Sequence, residues 1–124
     1  MALRPEMTRR LAEIGFMAGG YGLIPQSRSI FEGLQAALPE SEYPLIGLAL
    51  NHVHTGNPAE AVKILQDQAL QRHPDSAMVR AFLGLALRLA GHAQAAEREL
   101  QRVLDDTQAD PEATALARSL LERT

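Results

Sequence analysis

Residues 48–74 read LALNHVHTGNPAEAVKILQDQALQRHP, and this stretch decides the fold. An apolar segment closes at Gly56, Asn57-Pro58 restarts the chain, a second apolar segment follows, and Pro74 stops it. Asn-Pro is a strong helix start, because Asn suits the N-cap and proline in the first turn loses an N–H that has no partner there. The stretch is therefore read as a helix, a glycine turn and a second helix. The same order recurs upstream in IGFMAGGYGLIPQSRSIFEGLQAALP (14–39) around Gly22, and downstream in LGLALRLAGHAQAAERELQRVLDD (83–106) around Gly91. Counted along the chain, Gly56 follows Gly22 by 34 residues and Gly91 follows Gly56 by 35. A period in this range marks stacked helix pairs, an α-solenoid. Such arrays bind partners along an extended concave face.

Outward from this register the chain reads as helix throughout. Leu11, Ile14 and Ala18 recur at helical spacing and predict a first helix over about 6–19. Pro25 opens the second helix, whose face carries Ile30, Phe31, Leu34 and Leu38 before Pro39 ends it. Ser41-Glu42 open the third, with Pro44 in its first turn. From Leu45 to Val53 it is apolar almost all round, which implies that neighbours sandwich it or that it awaits a partner. The fourth helix carries Ala61, Ile64, Leu65 and Ala69. Asp75 is expected to cap the fifth, which holds Val79, Phe82, Leu83, Ala86 and Leu87. The sixth runs from about Ala93 to Leu104. Asp110-Pro111-Glu112 opens a last helix, to about Glu122, with Leu116, Leu120 and Leu121 on one side and Arg118, Glu122 and Arg123 elsewhere. No period-two run of β-branched residues suggests a strand. The expected class is all-α: three helix pairs (about 8–40, 41–75 and 76–108) and a capping helix (about 111–122), within a single 1–124 domain.

Composition narrows the function. The chain has no cysteine, so disulfides and thiolate zinc sites are excluded and a cytoplasmic location is expected. Net charge is −3 with basic residues scattered along the sequence, and Trp is absent. Nucleic acid is thus not an expected partner, since phosphate binding needs a basic stripe. Glu13 and Gly15 interrupt the N-terminal apolar residues, which reads against a signal peptide. Nothing approaches the roughly 20 apolar residues of a membrane span.

The register resembles that of the tetratricopeptide repeat. The early large/small pair falls on Ile14-Gly15, Leu48-Ala49 and Leu83-Gly84. The small residue of the second helix falls on Ser27, Ala61 and Ala96, and the large residue four positions later on Phe31, Leu65 and Leu100. The closing proline is Pro39 and, one residue late, Pro74. The family's usual Trp is missing from each copy, and Pro111 comes three residues late. The resemblance covers about residues 8–108 and implies a right-handed solenoid whose first helices line a concave groove. It places Arg9, Ala12, Phe16 and Gly19 there from the first repeat. Tyr43, Ile46, Leu50 and Val53 follow from the second, and Met78, Ala81, Phe82, Leu85 and Leu89 from the third. Most are apolar, so the Lys, Asn and Arg of a carboxylate clamp are absent. Such a groove suits an amphipathic helix or extended apolar segment. Alternatively these side chains face the last helix, or a second copy, in a permanent core.

No catalytic or metal constellation competes with a binding role. His52 and His54 are two residues apart and point to different faces of a helix. His73 and His92 sit near helix ends. Gly19-Gly20-Tyr21-Gly22 lacks the Lys-Ser/Thr of a phosphate loop and follows a helix, not a strand. Asp105, Asp106, Asp110 and Glu112 lack the spacing of a calcium loop. No enzyme, metal or cofactor is therefore expected.

In size and pattern the chain is similar to the small tetratricopeptide chaperones of bacterial type III secretion systems. The segment GFMAGGYGLIPQSRSIFEGLQAALP and the GLAL pair at 47–50 and 84–87 carry this likeness. It implies a cytoplasmic protein that sequesters an export substrate, such as a needle or translocator subunit. Phe16, Tyr43, Ile46, Leu50, Met78 and Leu85 would make the main contacts. A co-chaperone and a homodimer are further candidate partners. A general scaffold or assembly factor, or a self-associating structural module, are the rival readings.

Overall fold

The computed structural model describes residues 4–122. Arg123 of the expected last helix, and both ends of the expected 1–124 domain, lie outside the described residues. Among these residues the chain forms seven helices and no strand, so the class is all-α. They are α1 (Pro5–Gly20), α2 (Ile24–Ala37), α3 (Tyr43–His54), α4, α5 (Ala77–Leu89), α6 (Ala93–Asp105) and α7 (Pro111–Glu122). Helix α4 runs Pro58–Lys63, passes through a π-helical stretch Ile64–Ala69, and ends at Leu70–Arg72.

Proline stands in the first turn of each of α1 to α4. The cap of α5 is Ser76 and not Asp75: its Oγ accepts from the Val79 N–H at 3.1 Å. Ser76 also donates to the Glu42 carboxylate, which ties α5 to the start of α3. Asp110 accepts the Glu112 N–H at 2.9 Å and opens α7. Asn57 occupies the N-cap of α4 without a side-chain hydrogen bond.

The three register glycines do one job. Gly22, Gly56 and Gly91 have φ of 82°, 78° and 89°, and no other described residue has positive φ. After α1, the Leu23 N–H reaches back to the Ala18 carbonyl and the Gly22 N–H to that of Gly19. After α3 the pairs are Asn57 with His52 and Gly56 with Val53, and after α5 they are His92 with Leu87 and Gly91 with Arg88. This is the Schellman ending, in which a left-handed residue lets two backbone N–H groups satisfy the last carbonyls. Glycine adopts that conformation without a Cβ penalty, which is why the register survives in the sequence.

The large/small pattern is physical as well. Phe31 is 1% exposed and its ring is gripped between α1 and α3. A Cβ added at Gly15 would come within 2.8 Å of that ring, and one at Gly47 within 2.3 Å. Leu100 fills the matching place against Gly84, where an added Cβ would approach to 2.5 Å. Leu65 and Ala61 are buried on α4, which packs against both α3 and α5.

The late Pro74 has a structural cause. Phe31 and Leu34 are both buried and three apart, as are Leu100 and Val103, but in α4 the buried pair is Leu65 and Ala69, four apart. The additional residue falls within the π-helical stretch. A π-bulge holds one more residue per turn, so the insertion is absorbed locally and the apolar face stays in line.

Packed pairs join each helix to the next, and also α1 to α3, α3 to α5 and α5 to α7. Helices α2, α4 and α6 form no comparable pairs with one another. The odd-numbered helices thus make a continuous inner row, and Arg88 of α5 donates to the Leu120 carbonyl at the end of α7.

One polar cluster is buried between α1, α2 and α3. Ser27 Oγ donates to the Gly15 carbonyl at 2.7 Å, and Asn51 Nδ2 donates to Ser27 Oγ at 2.9 Å. Gly19 leaves room for it, since a Cβ there would stand 2.4 Å from Asn51 Oδ1. Replacing Asn51 with Leu keeps the branched heavy-atom outline and removes the bond, and should cost about 1–3 kcal/mol. Urea denaturation measures this, and an unchanged midpoint would show that the cluster contributes nothing.

Candidate partner-binding groove

The inner row opens into a cleft of about 930 Å³ between α1 and the first turns of α3 and α7. Helix α1 lines it with Pro5, Thr8, Arg9, Ala12, Glu13 and Phe16. The end of α2 adds Leu34 and Leu38, and the following turn adds Glu40 and Ser41. Tyr43 and Pro44 complete one wall, and Asp110 and Glu112 stand at the start of α7.

Packing presets the floor. The Phe16 ring meets Phe31 edge to face, with centroids 4.8 Å apart and planes at 61°. Because glycines grip Phe31, the ring beneath Phe16 has little freedom to yield. Tyr43 begins α3, where its N–H bonds Ser41 Oγ at 3.3 Å, and it is 42% exposed. Burial raises its phenol pKa, and the carboxylates of Glu42, Asp110 and Glu112 add to the rise. The hydroxyl therefore stays protonated and can donate to a guest.

Of the groove side chains expected from the register, Arg9, Ala12, Phe16 and Tyr43 come together in this cleft. Leu50, Val53, Phe82 and Leu85 lie further along the inner row, half-buried and packed on the core. Leu89 at the end of α5 is 52% exposed. Ile46 and Met78 are 1% and 7% exposed and belong to the core, as do Gly19 and Ala81. These four present little or no surface to a partner in this conformation. The reason for Ile46 is that α3 has neighbours on several sides, α1, α2, α4 and α5, and its most apolar turns are consumed by them.

The sequence reading did not place Glu13, Leu34, Leu38, Glu40, Ser41, Pro44, Asp110 or Glu112 at the groove. Asp110 and Glu112 carry the signal of a helix start and nothing that says which wall they face. A second apolar surface lies on the outer side of α1. Met7, Ile14, Met17 and Tyr21 are all exposed there and fall within about 80° of arc at 3.6 residues per turn.

Among the described residues no three His, Asp or Glu side chains gather closely enough to hold a metal ion. No described helix is long and apolar enough to cross a membrane. Compared with known proteins, the chain matches no protein-family model, and no curated protein is significantly similar to it.

Proposed function

We propose that the seven helices form a right-handed solenoid of three tetratricopeptide-like pairs, α1–α2, α3–α4 and α5–α6, with α7 as the cap. On this reading the protein is a binding module that sequesters an amphipathic helix of a partner along α1, α3 and α5. The repeated Schellman glycines, the gripped Phe31 and Leu100, and the contact order along the odd helices support the solenoid. The observation that carries the function is the apolar part of the cleft lining, Ala12, Phe16 and Tyr43, which the register would extend along the half-buried Leu50, Val53, Phe82 and Leu85.

The mechanism is competition for one face. A helix that assembles through its apolar stripe cannot do so while that stripe lies in the groove. Full burial of each large apolar side chain contributes roughly 1.5–3 kcal/mol before the ordering cost of binding. A few anchors are therefore enough for reversible capture. The size and pattern of the chain favour a cytoplasmic chaperone of a bacterial type III secretion system, with a needle or translocator subunit as guest.

Co-purification from the native host tests this. A stoichiometric small exported subunit is expected, whereas a large permanent assembly would favour a scaffold. Leu50→Asp and the more exposed Leu89→Asp should abolish capture with helical circular dichroism retained. Global unfolding of Leu50→Asp would place Leu50 in a closed core, because an unpaired buried charge is very costly. The exposed stripe on α1 favours a second reading, self-association. A homodimer that hides Tyr43 and Leu50 would overturn the groove reading.

A further inference from the structure

The charge of the chain is not spread evenly over its surface. The cleft lining holds four carboxylates, Glu13, Glu40, Asp110 and Glu112, against one guanidinium, Arg9. Among the described residues outside this lining, eleven acidic side chains stand against ten basic ones, so the excess negative charge is concentrated at the cleft. All five charged groups are exposed, and none takes part in an ion pair among the described residues. The four acids come from α1, the α2–α3 turn and the start of α7, which converge here only in the folded chain.

From this we infer that the cleft selects a cationic guest, an amphipathic helix whose apolar stripe is flanked by Lys or Arg. The inference rests on the groove reading above and adds the partner's charge to it. Ala12, Phe16, Leu34, Leu38 and Pro44 supply apolar lining for the stripe of a bound helix, and the carboxylates line the same cleft. Four carboxylates against one guanidinium make the potential of the cleft negative, and a basic guest complements it. An acidic guest would be repelled by it. Tyr43, at the same mouth, feels this field directly: after burial, the carboxylates of Glu42, Asp110 and Glu112 all hold its proton on.

Two synthetic helical peptides of about 14 residues, four turns, test the inference. Both carry the same Leu stripe, one with Lys flanks and the other with Glu flanks. In fluorescence anisotropy at low salt the Lys peptide should bind about tenfold or more tightly than its Glu twin. The difference should shrink as salt rises toward about 1 M, where the Debye length falls to about 3 Å. Glu13→Lys with Glu40→Lys should reverse the preference, and Glu40→Gln alone, the milder change, should reduce it. Equal binding of the two peptides would overturn the charge selection and leave the groove reading standing. Binding of neither would overturn both. A concentration-dependent dimer that Glu13→Lys with Glu40→Lys disperses would overturn the inference by showing a second copy in the cleft.

Discussion

Replacing Phe31 with alanine should remove about 3–5 kcal/mol of folding stability, the usual cost of emptying a large buried aromatic site. This is the site where the N-terminal pair is joined to the middle one. The ring sits against α1 at Gly15 and against α3 at Gly47, and its edge supports Phe16. Gly47→Ala probes the same junction from the other side. In the parent chain its Cβ would stand 2.3 Å from the ring, and the strain should cost about 1–3 kcal/mol. In the Phe31→Ala background the clash is gone. There the same change should stabilise by up to about 1 kcal/mol, since alanine is the better helix former. Chemical denaturation of the four proteins gives the cycle directly. Additive effects would sink the claim that ring and glycine fit as one unit.

Deleting Gln66 should leave the protein folded, whereas deleting Arg98 should remove most of its stability. Both residues are exposed on the outer helix of a pair. Gln66 lies in the π-helical stretch of α4, where one residue exceeds the regular period. Its removal brings Ala69 three residues from Leu65, the separation seen between Phe31 and Leu34. The face stays in register, and the change should stay within about 1 kcal/mol of the parent. Arg98 lies in regular α6, so its loss turns everything beyond it by about 100°. Leu100 and Val103 would then turn together off the buried face that Ala96 begins, in a domain with only about 5–15 kcal/mol to lose. Thermal melts followed by circular dichroism compare the two deletions. Equal damage would mean that the π-helical stretch does not absorb an insertion.

Much of the architecture is written locally. A glycine at positive φ, a proline in a first turn and a small residue opposite a large one each act within a few residues or between adjacent helices. That is why Gly22, Gly56 and Gly91 could be read as helix ends, and Gly15 and Phe31 as parts of one pattern, from the sequence. The same locality explains the small misplacement of the α5 cap. Asp75 and Ser76 are both good capping residues, and the bond from Ser76 to Glu42, a residue 34 positions away, helps to set the choice.

The groove was legible only in part. Arg9, Ala12, Phe16 and Tyr43 could be placed on one side of the helices from their spacing. Ile46 and Met78 follow the same spacing, yet neighbouring helices bury them, because burial depends on how close the next helix comes and not on period. The acidic mouth had no local signal, since its members lie at 13, 40, 110 and 112.

The sequence by itself determined the all-helical class, the seven segments and the turns between them, because backbone conformation and capping are decided by near neighbours in the chain. The odd residue of the second repeat was visible as a late Pro74. Only the tertiary structure decided that α4 takes it up as a π-bulge, which apolar side chains of the inner row are consumed by the core, and that α7 brings two carboxylates to a cleft begun by α1. Those outcomes depend on distances between segments far apart in the chain, which follow from packing.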